Sequence, residues 1–224
     1  MTWVKDFSVK FGSDELRRTI SDVNWDIYKP IIKEQLTHLS KQLSDDQNKL
    51  LIIDMAEEPD GYGFDCLTFH FADRMTGNMR QVINEDHIAF NHHWQKGAAL
   101  SITHSATGAV HMILFPSTSE DSGAKNDPLI IHHSYNPKNL TPKRIEKAVK
   151  NLIHYHRVTG VLHKVTIKDK FIVRLLKMKM YFLQYTDKEN KFKRITALYI
   201  PLFSLIVALA AAITSFVALL LTLK

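Results

Sequence analysis

Apolar residues change their period along this chain. From Ile20 onward they recur every three or four positions, through Val23, Ile27, Ile31, Ile32, Leu36, Leu39 and Leu43. That spacing predicts an amphipathic helix. Ser13 is placed to cap it, with Asp14 and Glu15 in the first turn. Pro30 interrupts the pattern and predicts a kink, or two helices, near Tyr28–Pro30. Residues 2–11 alternate more nearly in twos and predict a short first strand.

The middle of the chain reads as strands over 49–57, 64–75, 79–84, 87–95, 98–106 and 109–116. Two Thr-Gly dipeptides predict two-residue turns. At Thr76-Gly77 the turn sets Asp73 opposite Arg80 and Phe71 opposite Val82. At Thr107-Gly108 it sets His104 opposite His111, Ile102 opposite Ile113 and Leu100 opposite Phe115. Consecutive hairpins predict a meander, bent or closed into a small barrel. Residues 117–128 are a polar loop, and 129–135 one more strand.

Thr141-Pro142 opens a helix with its apolar stripe on Ile145, Ala148, Val149, Leu152 and Ile153, closed by Gly160. Thr166 with Asp169 reads as a capping box for a further helix. That helix carries Ile167, Phe171, Ile172, Leu175, Leu176 and Leu183 on one side. Lys168, Lys170, Arg174, Lys177 and Lys179 surround the other. Lys168, Lys170, Arg174 and Lys177 are therefore candidate contacts to a membrane surface. A helix packed on the β domain with a solvated basic face is the alternative.

Residues 196–223 carry no charge, and Lys224 follows. A run of that length predicts one transmembrane helix, since a span needs about 20 apolar residues. Lys188, Lys191, Lys193 and Arg194 precede it. Such a flank favours the cytoplasmic side, and no secretory signal opens the chain. The expectation is a single-pass protein of the inner (plasma) membrane with its N-terminal domain in the cytosol. The single cysteine, Cys66, fits a reducing compartment. Ser204, Ala208 and Ala212 recur every fourth residue, a spacing that lets membrane helices pack closely into a homo-oligomer.

The predicted fold is thus α+β: a cytosolic antiparallel β meander or small barrel flanked by helices, plus one C-terminal transmembrane helix. Residues 1–160 form a binding domain, 161–195 a basic juxtamembrane segment, and 196–223 the span. The net charge of +6 gathers toward the C-terminal side, where it suits anionic headgroups better than a nucleic acid, so no stable nucleic-acid partner is expected.

Catalytic motifs are missing. There is no phosphate-binding Gly-Lys-Ser/Thr loop and no nucleophile elbow, and Gly61-Tyr62-Gly63 lacks the rest of a dinucleotide fingerprint. No cofactor is implied. The twelve histidines include two His-His dipeptides, whose side chains point to opposite faces of a strand. His104 and His111 are the best-placed pair, but no Asp, Glu or Cys completes a metal site around them. Cys66 reads as core, and Ser117, Ser119 and Ser122 have no neighbouring base.

A soluble β domain, a terminal apolar helix and no catalytic motif resemble, in architecture, the membrane effectors of bacterial anti-phage signalling systems. The similarity runs from Ile113-Leu114-Phe115-Pro116, through Ser117-Thr118-Ser119-Glu120, to Leu140-Thr141-Pro142 and the basic helix. It implies a sensor for a nucleotide second messenger that controls assembly of the membrane helices and disrupts the bilayer. It transfers no binding residue. Arg80, His104, His111, His132 and Tyr135 are the candidates for an anionic-ligand pocket. The rival readings are a membrane-tethered adaptor for a protein partner and a membrane-bound, metal-dependent hydrolase.

Overall fold

The computed structural model describes residues 2–45, 48–57, 65–84 and 87–183, together with positions 204, 207, 208, 211 and 214. Helix α1 (Thr2–Leu43) is followed by strands β1 (Leu50–Asp54), β2 (Asp65–Phe71), β3 (Arg74–Asn84), β4 (His87–Lys96), β5 (Ala99–His104), β6 (Val110–Phe115), β7 (Thr118–Ser119) and β8 (Leu129–Ser134). A single 3-10 turn over Pro137–Asn139 leads into α2 (Pro142–Thr159) and α3 (Ile167–Leu183). The fold is α+β, and every strand pairing is antiparallel.

The strands make an open five-stranded sheet in the order β1-β2-β5-β6-β8 and a three-stranded sheet in the order β3-β4-β7. Strands β2 and β3, and likewise β4 and β5, run almost directly into each other, so one long ribbon leaves the first sheet and enters the second. Gly97 permits the crossing. A Cβ there would lie 1.9 Å from the Phe71 carbonyl oxygen, so no other residue fits without moving the backbone.

One face of the five-stranded sheet supplies the core. Leu67, Phe69, Leu100, Ile102, Met112 and Leu114 are fully buried there. They join Trp25, Ile32 and Leu36 of α1, Ile145, Val149 and Leu152 of α2, and Val173 and Leu176 of α3 in one cluster. Each such side chain contributes about 1.5–3 kcal/mol by leaving water. A network of charges docks α1. Lys29 reaches Asp54 at 2.7 Å and Asp65 at 2.6 Å, and the Trp25 indole N–H donates to Asp65 at 2.5 Å.

Several expectations are corrected. Residues 2–11 are not a strand but the first turns of α1, which passes through Pro30 as one helix. The 3-7-11 spacing of Trp3, Phe7 and Phe11 fits a helix as well as alternation fits a strand. Their rings meet edge-on at 6.2 Å and tilted at 6.1 Å. Thr76-Gly77 is not a turn. Strand β3 continues through it as a bulge, with Gly77 at φ +89°, and pairs with β4 throughout. Arg80 therefore faces Asn91, and Val82 faces Ala89. Across Gly108 the register differs by one residue: His104 pairs with Val110, and Thr103 pairs with His111. The Ser105 N–H donates to Ala109 O, leaving a three-residue loop rather than two. A one-residue shift exchanges the faces, so His104 and His111 lie on opposite sides of the sheet.

The predicted membrane span is also corrected. Among the described residues no helix is long and apolar enough to cross a membrane. A transmembrane helix, and with it a single-pass placement in the inner membrane, is not supported. Helix α1 has the length but not the apolarity. The run 196–223 lies outside the described residues apart from Ser204, Val207, Ala208, Ala211 and Thr214, which are helical and exposed. Ala212 is among those not described.

Candidate functional site

Helix α3 begins with the predicted capping box. The Thr166 hydroxyl accepts from the Asp169 N–H at 3.2 Å, and Asp169 accepts from the Thr166 N–H at 3.0 Å. Asp169 does more than cap. Although only 3% exposed, its carboxylate also accepts from the Thr166 hydroxyl at 2.7 Å, His154 Nδ1 at 2.7 Å and Arg157 Nε at 3.1 Å. Burial alone would raise its pKa. The hydrogen bonds from Thr166, His154 and Arg157 outweigh it and hold the carboxyl well below its usual range. The first turn of α3 is thereby fixed to the last turn of α2.

That anchorage decides which way the helix faces. At 100° per residue, with Ile167 at the origin, Asp169, Val173 and Leu176 fall at about 200°, 240° and 180°. These are the buried positions. The opposite side carries Ile167, Phe171 and Leu175, which are 88%, 61% and 46% exposed. Arg174, Lys170 and Lys177 line one flank, and Lys168 lies on the other; all four are exposed. Phe171 and Val173 also line a shallow groove with Val158, rimmed by Lys170, Arg174 and Lys177. Large apolar side chains thus project from the middle of a basic face.

The sequence set Lys168, Lys170, Arg174 and Lys177 on one face and grouped Ile167, Phe171 and Leu175 with Ile172 and Leu176 on the other, to lie on a membrane surface or, alternatively, on the β domain. Among the described side chains, Ile172 and Leu176 pack, together with the unremarked Val173 and Met180. The signal for the difference was Asp169. A carboxylate in a capping box that also serves α2 must face α2, and it carries Val173 and Leu176 with it.

The five residues proposed for a ligand pocket do not converge. Arg80 is exposed on the three-stranded sheet. His104 lies under α1, stacked on Trp25 with ring centres 5.4 Å apart. The Ser21 hydroxyl donates to Gly108 O at 2.6 Å, so its oxygen accepts from His104 Nε2 at 3.2 Å. His132 stands 3.5 Å from Arg144 on the side facing α2 and α3. Burial first, then Arg144 and Lys179, push it down to about 4. His111 and Tyr135 do come together, through His133. The two histidine Nδ1 atoms are 3.3 Å apart, and the Tyr135 ring meets His133 edge-on at 5.0 Å while Arg17 stacks over it at 4.1 Å.

One contact went unseen in the sequence. Ser117, for which no base was apparent, donates to His156 Nδ1 at 2.7 Å. The Ala98 N–H points to the same nitrogen at 3.4 Å, so the ring proton sits on Nε2 and is donated to His163 Nε2 at 3.1 Å. This is a strut rather than a nucleophile and base. Both residues are buried, and burial, then His163 and Arg74, push His156 down to about 3. An imidazole that weakly basic takes no proton from a hydroxyl near neutrality. Among the described residues no three histidine, cysteine or carboxylate side chains converge where they could hold a metal ion.

Comparison with known proteins gives no match: no family model, no curated protein and no solved structure matches this chain.

Proposed function

We propose that this protein is a peripheral binder of anionic lipid surfaces, with α3 as the contact. The reading rests on one observation: Ile167, Phe171 and Leu175 are exposed in the middle of a face flanked by Lys168, Lys170, Arg174 and Lys177. A solvated helix face has no use for three large apolar side chains. A headgroup layer accepts them to a depth of about 5–10 Å while the lysine stems reach back to phosphate. The Asp169 network serves this role by holding the face rigidly outward. The domain is then a module held parallel to a membrane surface, able to present its sheets to the solvent side.

Four cations at about 1 kcal/mol each amount to roughly three orders of magnitude in affinity. Vesicle flotation of the full chain and of a variant with Lys168, Lys170, Arg174 and Lys177 all replaced by Gln tests the proposal. Binding by the native chain should require phosphatidylserine or phosphatidylglycerol and weaken between low and physiological salt. The variant should lose that salt-dependent component. Equal binding by both proteins at every salt concentration contradicts the proposal.

A further inference from the structure

Helix α1 carries a second unpartnered face. Val9, Leu16, Ile20, Val23 and Ile27 are each at least half exposed. Their spacing is 7, 4, 3 and 4, which is a heptad seam with Ile20 and Ile27 at one core position and Val9, Leu16 and Val23 at the other. The seam runs on the side opposite Trp25 and Ile32, which bury into the domain. Its contiguous part, Leu16 to Ile27, extends about 17 Å along the helix, longer than the scattered apolar residues a monomer surface normally shows.

From this spacing and the flanking charges we infer that α1 pairs antiparallel with α1 of a second copy of this chain. The register is one in which Ile20 lies beside Val23 and Leu16 beside Ile27 of the other copy. The flanking positions select this arrangement. A parallel pair sets Lys5 against Lys10 on both sides of the seam. Moving the antiparallel register one heptad toward the N-terminus sets Arg17 against Arg17. Moving it one heptad the other way sets Asp26 against Asp26. The chosen register places Arg17 beside Asn24 and Thr19 beside Asp26, with no like charges opposed. Pro30 and Ser13 then close the paired stretch together at each end, and Val9 lies beyond it. The contact is isologous, so it stops at a dimer.

Two measurements on the full chain test this, both in a mild non-ionic detergent. The first is cross-linking of single-cysteine variants, Leu16→Cys and Ile27→Cys; the native Cys66 is buried and does not compete. Under mild oxidation a mixture of the two variants should form a disulfide-linked dimer, while each alone stays uncrosslinked. The second is sedimentation equilibrium with Ile20→Lys, which should raise the dimer dissociation constant about a hundredfold, because each dimer loses two apolar contacts. Unchanged circular dichroism would show that the domain still folds. A monomeric native chain, or disulfide formation by either cysteine variant alone, overturns the inference.

Discussion

Helices α1 and α3 both leave large apolar side chains in water, but with different surroundings. On α3 the exposed Ile167, Phe171 and Leu175 sit among Lys168, Lys170, Arg174 and Lys177. On α1 the exposed Leu16, Ile20, Val23 and Ile27 follow a 3.5-residue repeat, and their flanks mix Arg17, Thr19, Asn24 and Asp26. Apolarity alone says only that something covers the face. The fringe says what. A fringe of one sign suits a surface of the opposite sign and no fixed register, whereas a mixed fringe on a strict repeat suits another helix.

Each helix offers a way to break that comparison. The strongest is the replacement of Lys168, Lys170, Arg174 and Lys177 of α3 by Gln. It should lower affinity for anionic vesicles about a thousandfold and leave the α1 cross-link unchanged. A variant that loses both would mean that the two faces serve one partner. Conversely, Ile20→Lys should lower dimer affinity about a hundredfold, yet leave the salt dependence of lipid binding by each protomer intact, as read by flotation across a salt series.

Asp169→Asn sharpens the α3 side. It removes the charge from a buried carboxylate that accepts from His154, Arg157 and Thr166, leaving those donors poorly matched. A loss of about 2 kcal/mol in urea-unfolding free energy is expected. Hydrogen exchange should rise in α3 first. Uniform exchange across the sheet instead would show that Asp169 supports the whole core rather than the orientation of one helix.

Acid supplies the mildest perturbation. His156 and His132 are pushed down to about 3 and about 4, chiefly by burial. In the unfolded chain both titrate near pH 6.5. As pH falls the unfolded state binds protons first, so the stability gained by keeping these rings neutral is complete above about pH 6.5 and drains away toward pH 4 and then 3. Thermal melting should therefore be flat from pH 8 to 7 and decline below. His132→Gln should reduce the slope between pH 6.5 and 4 without altering the plateau's shape.

The sequence revealed regular elements better than their connections. Most strand spans from residue 49 onward, the Pro142 and Gly160 ends of α2, and the capping box of Thr166 and Asp169 stand where local chemistry puts them; the strand expected over 2–11 and the loop around the short β7 do not. What failed depended on a single residue or on distant packing. One more residue in the loop at Gly108 turned His104 toward α1 and His111 away from it. Gly77 bent a strand instead of ending it. The Ser117–His156 contact joins residues 39 apart, and nothing in either segment announces the other. The outward face of α3 lay in between: its charges were legible, but its apolar side chains were grouped with Ile172 and Leu176, which pack, until the partners of Asp169 fixed the helix's rotation.

The most direct measurement uses a nitroxide at two positions of the full chain, Phe171→Cys and Val23→Cys, read by electron spin resonance with and without phosphatidylglycerol vesicles. At position 171 the label should gain accessibility to dissolved oxygen on adding vesicles, as it enters the acyl boundary. At position 23 it should show no such gain, only the dipolar broadening of a nearby second label. A position-171 label that stays as accessible to water-soluble relaxants on vesicles as in buffer would contradict the account.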